Sequence, residues 1–266
     1  MAIEPDGTLK VIRNESIGDI AWDPGYSTAI AGITEASSIT GTRYSNVPTD
    51  FCYQYSGTES SYLGCNSWGS STTTLDSSGV NVTVMPRETG SSTTYNLPST
   101  EAYINTYLNT TYINNLLSNI NINKREYIID HTYNIGTVTL ESGQTLATDI
   151  TQEKAYKWRG KVGLMTTTDY VRGSNNSACT SVREYHITTE CFLSSIPHNY
   201  LAKSYLQWTI SNQYYSYLIG VWYVYSSGAL SDNSASYSYG VRPVLYLSSN
   251  IQLMGEGTQS TPYEIA

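Results

Sequence analysis

Two short stretches gather side chains suited to recognising a ligand rather than transforming one. Residues 212–220 carry Tyr214, Tyr215 and Tyr217, residues 231–240 carry Asp232, Asn233, Ser234, Tyr237 and Tyr239, and Tyr225 lies between them. Tyrosine offers a broad contact face with only two side-chain torsions to freeze, while Ser, Asn and Asp add adaptable hydrogen bonds. The same mixture suits sugars, whose apolar ring faces stack on aromatics and whose hydroxyls need polar partners. The competing reading is surface decoration. The chain holds 25 Tyr against 2 Phe, and Tyr tolerates half-exposed positions where Phe would create a sticky patch.

Groups for catalysis are dispersed. His131, His186 and His198 stand far apart in the sequence. No Gly-x-Ser-x-Gly elbow, phosphate loop or His-Glu-x-x-His pattern occurs, so neither an enzyme nor a cofactor is expected. Asp6, the Asp232-Asn233 pair and Glu256 are oxygen donors of the kind calcium takes. They form no dense acidic cluster, and no metal site is expected. Cys52 with Cys65 and Cys179 with Cys191 each bracket a polar loop, at spacings too wide for zinc-ligand pairs. Two local disulfides, 52–65 and 179–191, are the expectation, one of the three pairings that four cysteines allow. Loops of this size gain roughly 3 kcal/mol from closure, and such bonds persist in an oxidising compartment.

The tyrosine-rich stretches hang between short apolar blocks. These are Trp208-Thr209-Ile210-Ser211, Val221-Trp222-Tyr223-Val224, Gly228-Ala229-Leu230 and Val241-Arg242-Pro243-Val244. They read as strands, and the stretches between them as loops. Trp208, Trp222 and Arg242 are read as scaffold, with Trp222 and Val224 facing the core and Arg242 fixed by carbonyl or carboxylate partners. Upstream, Ile3 to Ile12 reads as a hairpin turning at Pro5-Asp6-Gly7. Residues 21–78 form a disulfide-stapled excursion, and Val80, Val82 and Val84 alternate as a strand ending at Pro86.

Helices are expected from Ser99 or Thr100, as cap, to Leu108, and again over 111–118. Strand returns at 127–129, a helical turn at 150–155, strand after Tyr156, and a capped turn at 167–171. No low-complexity linker or fixed-period repeat divides the chain. It reads as one composite domain over 1–266. Residues 1–95 supply the hairpin and stapled loops, and residues 96–266 the helices, sheet and variable loops.

The formal charge is −8 and no basic run exceeds Lys124-Arg125, so the electrostatic footprint of a nucleic-acid binder is missing. No apolar run approaches the roughly 20 residues that span a bilayer. The first residues lack a signal-peptide apolar region; direct membrane insertion is not expected, and a signal or anchor is expected to precede this sequence.

Several blocks in order carry a resemblance: Asp6-Gly7-Thr8-Leu9-Lys10, Trp158-Arg159-Gly160-Lys161-Val162-Gly163-Leu164, the four blocks above, and Gly255-Glu256-Gly257-Thr258 to Pro262-Tyr263. Over nearly its whole length the chain resembles a bacterial surface-protein family of unknown function from gut Firmicutes, which often follows a membrane-anchoring N-terminus. Glu256 departs from the Asp usual in that family's ending. The run from Trp208 to Val244 is also similar to the C-terminal domain of collagen-like bacterial adhesins. That likeness implies an α+β, C-type-lectin-like fold: a small twisted antiparallel sheet, two helices and long irregular loops. The calcium-binding Glu-Pro-Asn, Gln-Pro-Asp and Trp-Asn-Asp motifs of C-type lectins do not occur.

The reading is therefore a secreted or cell-surface adhesion domain whose Tyr-rich loops recognise a host or bacterial surface protein or glycan. Residues 212–239 also have the composition of loops diversified by retroelements in some lectin-like proteins. Two alternatives stand beside it: a structural module of a pilus or stalk, and an enzyme on a scaffold like that of the sulfatase-modifying enzymes.

Overall fold

The turn Pro5-Asp6-Gly7 closes the expected hairpin. Gly7 takes φ +82°, open to glycine at little cost, and Asp6 Oδ1 accepts from the Thr8 amide at 2.9 Å and its hydroxyl at 2.7 Å. Ala2–Ile3 thereby pairs antiparallel with Leu9–Ile12. The computed structural model describes residues 2–24, 54–56, 59–61, 65–86, 94–98, 100–177, 179–188, 190–191, 199–215, 218–255, 261 and 264–265.

Leu9–Ile12 then pairs with Val244–Leu247, joining distant ends of the chain. Val244–Leu247 also pairs with Val162–Gly163 and Ile128–Ile129, completing a five-stranded antiparallel sheet. Gly163 is required there, since a Cβ would lie 2.4 Å from the Tyr133 ring. The Tyr133 hydroxyl ties the strands together through the Lys161 and Val244 carbonyls, each at 3.0 Å.

A second five-stranded sheet runs in the order Leu230–Asn233, Leu218–Val224, Gln207–Tyr215, Ser238–Gly240, Asp19–Ala21. All its pairings are antiparallel except Gln207 with Gly240. A bulge between Trp208 and Asn212 shifts the register of its central hairpin; bulges of this kind sharpen local twist. A third sheet joins His131–Asn134, Tyr156–Gly160 and Leu75–Asp76. The fold is mixed α/β, with several antiparallel sheets and few helices.

The helices are short and capped. Tyr103–Tyr107 runs through a π-helical turn, Leu108–Tyr112, into Ile113–Asn119, with no break near 109–110. Thr100 is not its cap, and Ser99 lies outside the described residues. The helix starts after Ala102, and Asp23 Oδ1 accepts from the Tyr103 amide at 3.2 Å. Leu146–Lys154, Thr167–Arg172 and Val182–Ile187 each begin with a capping box, on Thr145/Thr148, Thr166/Asp169 and Ser181/Glu184. Of the five α-helices among the described residues, two answer the expected helices, two stand where a helical turn and a capped turn were expected, and Val182–Ile187 was not expected. The alternation Val80-Val82-Val84 does not make one strand: Val80 is exposed, Asn81 makes only an isolated bridge to Leu75, and Val84–Pro86 is a separate strand.

The core is built on tryptophan. Trp22 packs edge-on against Trp68 at 5.3 Å and Trp208 at 6.1 Å, and Trp68 against Trp158 at 5.8 Å. Such pairs add about 1 kcal/mol each beyond the area they bury. Cys179 and Cys191 are disulfide-bonded, with Cα atoms 5.5 Å apart, and enclose the Val182–Ile187 helix rather than a loop. Cys65 is also disulfide-bonded; its expected partner, Cys52, lies outside the described residues.

Candidate functional site, a tyrosine ledge

Residues 212–215 and 218–220 are strand, not loop. Gln207–Tyr215 and Leu218–Val224 run as paired strands almost to their junction, and Asn212 and Gln213 are buried. The Asn212 carbonyl takes the Val138 amide at 3.1 Å, which fixes this stretch to the protein interior. The side chains of Tyr214 and Tyr215, and Tyr217 as a whole, lie outside the described residues. Residues 231–240 are likewise mostly strand, with a turn between Asn233 and Ser238.

Strand alternation sorts the remaining candidates onto two faces. In an antiparallel pair, residues directly opposite project the same way. Trp222 is opposite Asp232, and Tyr223 is opposite both Trp208 and Ser231. Trp222, Val224 and Asp232 therefore share the face covered by the Val182–Ile187 helix, where His186 packs on Trp222 at 5.6 Å. Burial raises the Asp232 pKa, and nearby His186 opposes that rise. Asp232 is thus separated from the tyrosines. Ser234 is buried in the turn.

The opposite face carries Trp208, Tyr223, Asn233 and Tyr239. The Tyr239 ring lies 4.5 Å from Trp208 and 4.6 Å from Tyr223, and its hydroxyl accepts from Asn233 Nδ2 at 2.7 Å. Burial pushes the Tyr239 phenol up to about 12; Tyr223 and Tyr237 add to the shift, and the Asn233 bond works against it. The phenol is therefore neutral at physiological pH. Behind it, Trp208 is buried and donates from Nε1 to the Ile20 carbonyl at 3.0 Å.

Two further tyrosines extend this base into solvent. Tyr237 stacks on Tyr239 at 6.2 Å and 28° and is 53% exposed; Tyr225 lies 6.3 Å from Tyr223 and is 46% exposed. Tyr225 opens a tight turn in which its amide donates to the Ala229 carbonyl at 2.7 Å. Gly228 adopts φ +92° in that turn, and buried Tyr170 holds the Gly228 carbonyl at 2.8 Å. The ledge is thus a rigid aromatic surface with hydroxyls at its edge. Of the sequence candidates it brings together Tyr225, Asn233, Tyr237 and Tyr239. Tyr223 and Trp208 complete it. Tyr223 was legible from alternation alone, standing between inward Trp222 and Val224.

The buried acids lie elsewhere. Glu153 accepts from Thr167 Oγ1 at 2.7 Å, the Thr168 amide at 3.0 Å and Ser211 Oγ at 3.2 Å, and from the Thr168 hydroxyl. Its pKa is raised by burial and lowered in part by these donors. Asp149 accepts from the Val182 amide at 2.8 Å. Glu153 ties its helix to the Thr167–Arg172 helix and to the Gln207–Tyr215 strand, and Asp149 ties the same helix to the start of Val182–Ile187. Arg242 is fixed as expected, by the Arg13 and Leu201 carbonyls at 3.0 and 2.8 Å and by Gln207 Oε1 at 3.0 Å. Among the described residues no group of three or more His, Cys, Asp or Glu side chains is placed to hold a metal, and no helix is long and apolar enough to cross a membrane. No protein-family model, curated protein or solved structure matches the chain.

Proposed function

We propose that this chain is an extracellular or cell-surface recognition domain with a C-type-lectin-like fold. In this reading it binds a glycan or a surface protein of a host or bacterial cell through the tyrosine ledge, without altering it chemically. One observation carries the reading. Tyr225 and Tyr237 stand about half exposed, Tyr225 against Tyr223 and Tyr237 against Tyr239, and Trp208 packs against both of those inner rings. Aromatic rings ordered in advance lose little entropy on binding, which is the usual reason such surfaces recognise ligands.

Other features agree with it. The Cys179–Cys191 disulfide suits an oxidising compartment. The pairing of Leu9–Ile12 with Val244–Leu247, the antiparallel sheets and the short helices are compatible with a lectin-like fold. Glu153, whose carboxyl pKa is raised by burial, is enclosed and held by four donors of the frame, which favours a structural role for it over acid–base chemistry.

The test is a glycan array together with a panel of host and bacterial surface proteins, probed with the wild-type domain and with Tyr225→Ala/Tyr237→Ala. Binding by the wild type that the double variant loses supports the reading. Binding that survives in the double variant removes the ledge from the account.

A further inference from the structure

A cleft of about 160 Å³ opens beside the N-terminal hairpin, on the sheet that does not carry the ledge. Its floor includes buried Met165 and Val244 and the ion pair of Lys10 with Asp169, Nζ to Oδ2 2.5 Å. Asp169 Oδ2 also accepts from the Thr166 amide at 2.9 Å, and Lys10 lies over the Tyr246 ring at 5.8 Å. The two floor charges therefore satisfy each other.

The rim is different. Ile3 and Tyr200 are 72% and 69% exposed, and both line the cleft. Arg172, at the end of the Thr167–Arg172 helix, is exposed, and its guanidinium has no hydrogen-bond or ion-pair partner among the described residues. Exposed Tyr, Ile and Arg around one depression are the residue types that anchor protein contacts. The lining charges, Lys10 and Arg172 against Glu4 and Asp169, sum to zero. That balance suits a single carboxylate at Arg172 and does not suit a polyanion. The volume is well below the several hundred Å³ typical of small-molecule sites, and fits one side chain.

The adjoining strand supplies the rest. Among the described residues Ala2–Ile3 is the outer strand of its sheet, paired with Leu9–Ile12 on one side. Its open edge presents backbone donors and acceptors to an added strand. We propose that this cleft is a second binding site, which captures the C-terminal end of an extended peptide. The peptide main chain lies along Ala2–Ile3, its apolar last side chain sits between Ile3 and Tyr200, and its terminal carboxylate pairs with Arg172. The proposal is independent of the ledge.

The test is fluorescence anisotropy with fluorescein-labelled hexapeptides ending in Leu, Val or Phe. Each is made with a free carboxylate, as the amide, and extended by a further Gly-Ser; decanoate is a competitor. The free-acid peptides should bind, with the amide and extended forms weaker by about tenfold or more, the scale of one charge-assisted contact. Arg172→Gln should erase the difference between acid and amide, and Tyr200→Ala should weaken all forms. Both positions are exposed, so the variants should keep the wild-type melting temperature, which is measured alongside. Equal binding of acid and amide, no binding of the acid peptides, an unchanged acid preference in Arg172→Gln, or binding of decanoate alone would each overturn the proposal.

Discussion

Asn233 donates from Nδ2 to the phenol oxygen of Tyr239 at 2.7 Å, across the turn that separates their strands. This bond fixes the ring that lies against both Trp208 and Tyr223 and on which Tyr237 stacks. A side chain chosen from sequence as a ligand donor thus serves to orient an aromatic. Asn233 Oδ1 also accepts from the Ser234 amide at 2.8 Å, so Asn233→Ala removes two hydrogen bonds and should lower stability by about 1–3 kcal/mol, and should weaken ledge binding more than it weakens the fold. Denaturant unfolding combined with the binding assay separates the two; a variant equal to wild type in both would remove the bond from the account.

Asp149 gives the domain a pH-dependent term. Burial pushes its carboxyl up to about 6, with Glu153 and Glu184 adding to the shift and the Val182 amide opposing it. A carboxyl whose folded pKa exceeds its unfolded value of about 4 binds its proton more tightly when folded, so it stabilises at low pH and loses that contribution as pH rises from about 4 to 6. Asp149→Asn, which is neutral throughout, should flatten that window. Melting temperatures at pH 5 and pH 7 should differ less for the variant than for wild type. Parallel curves would show that Asp149 titrates normally.

Glu153 holds four donors from Thr167, Thr168 and Ser211 in a buried space. Glu153→Ala should cost about 3 kcal/mol or more, because each donor left unpaired in the interior carries its own desolvation penalty. Urea denaturation reads this directly, and a loss under about 1 kcal/mol would mean that water replaces the carboxylate.

The first sheet has its own test. A methyl at position 163 meets the Tyr133 ring at 2.4–2.5 Å, so Gly163→Ala should destabilise by about 1–3 kcal/mol. Tyr133→Leu should relieve part of that cost in the double variant. Full additivity of the two changes would place the clash elsewhere.

Local signals in the sequence were readable and long-range ones were not. The Pro5-Asp6-Gly7 turn, the inward Trp222 and Val224, the capped turn after Thr166 and the Cys179–Cys191 pairing all follow from neighbours in the chain. The capping box Ser181/Glu184 was equally local, but the flanking cysteines disguised its helix as a loop. The cap of the Tyr103 helix could not be read, because Asp23 reaches it from 80 positions away. Asn212 and Gln213 look like loop residues by type. They lie in a strand because the facing strand and the Val138 amide pair with them, and strand preference depends on such context. Within the candidate site, Asp232 and Asn233 are adjacent and similar, yet the two-residue period of the strand sends them to opposite faces.

The most direct measurement is tyrosine footprinting by limited nitration, with and without a ligand that the domain binds on the array. Tyr225 and Tyr237 should react in the free domain and be protected on binding, while Tyr200, 69% exposed and on the other sheet's cleft, stays reactive. Unchanged labelling of Tyr225 and Tyr237 under saturating ligand would contradict recognition through the ledge.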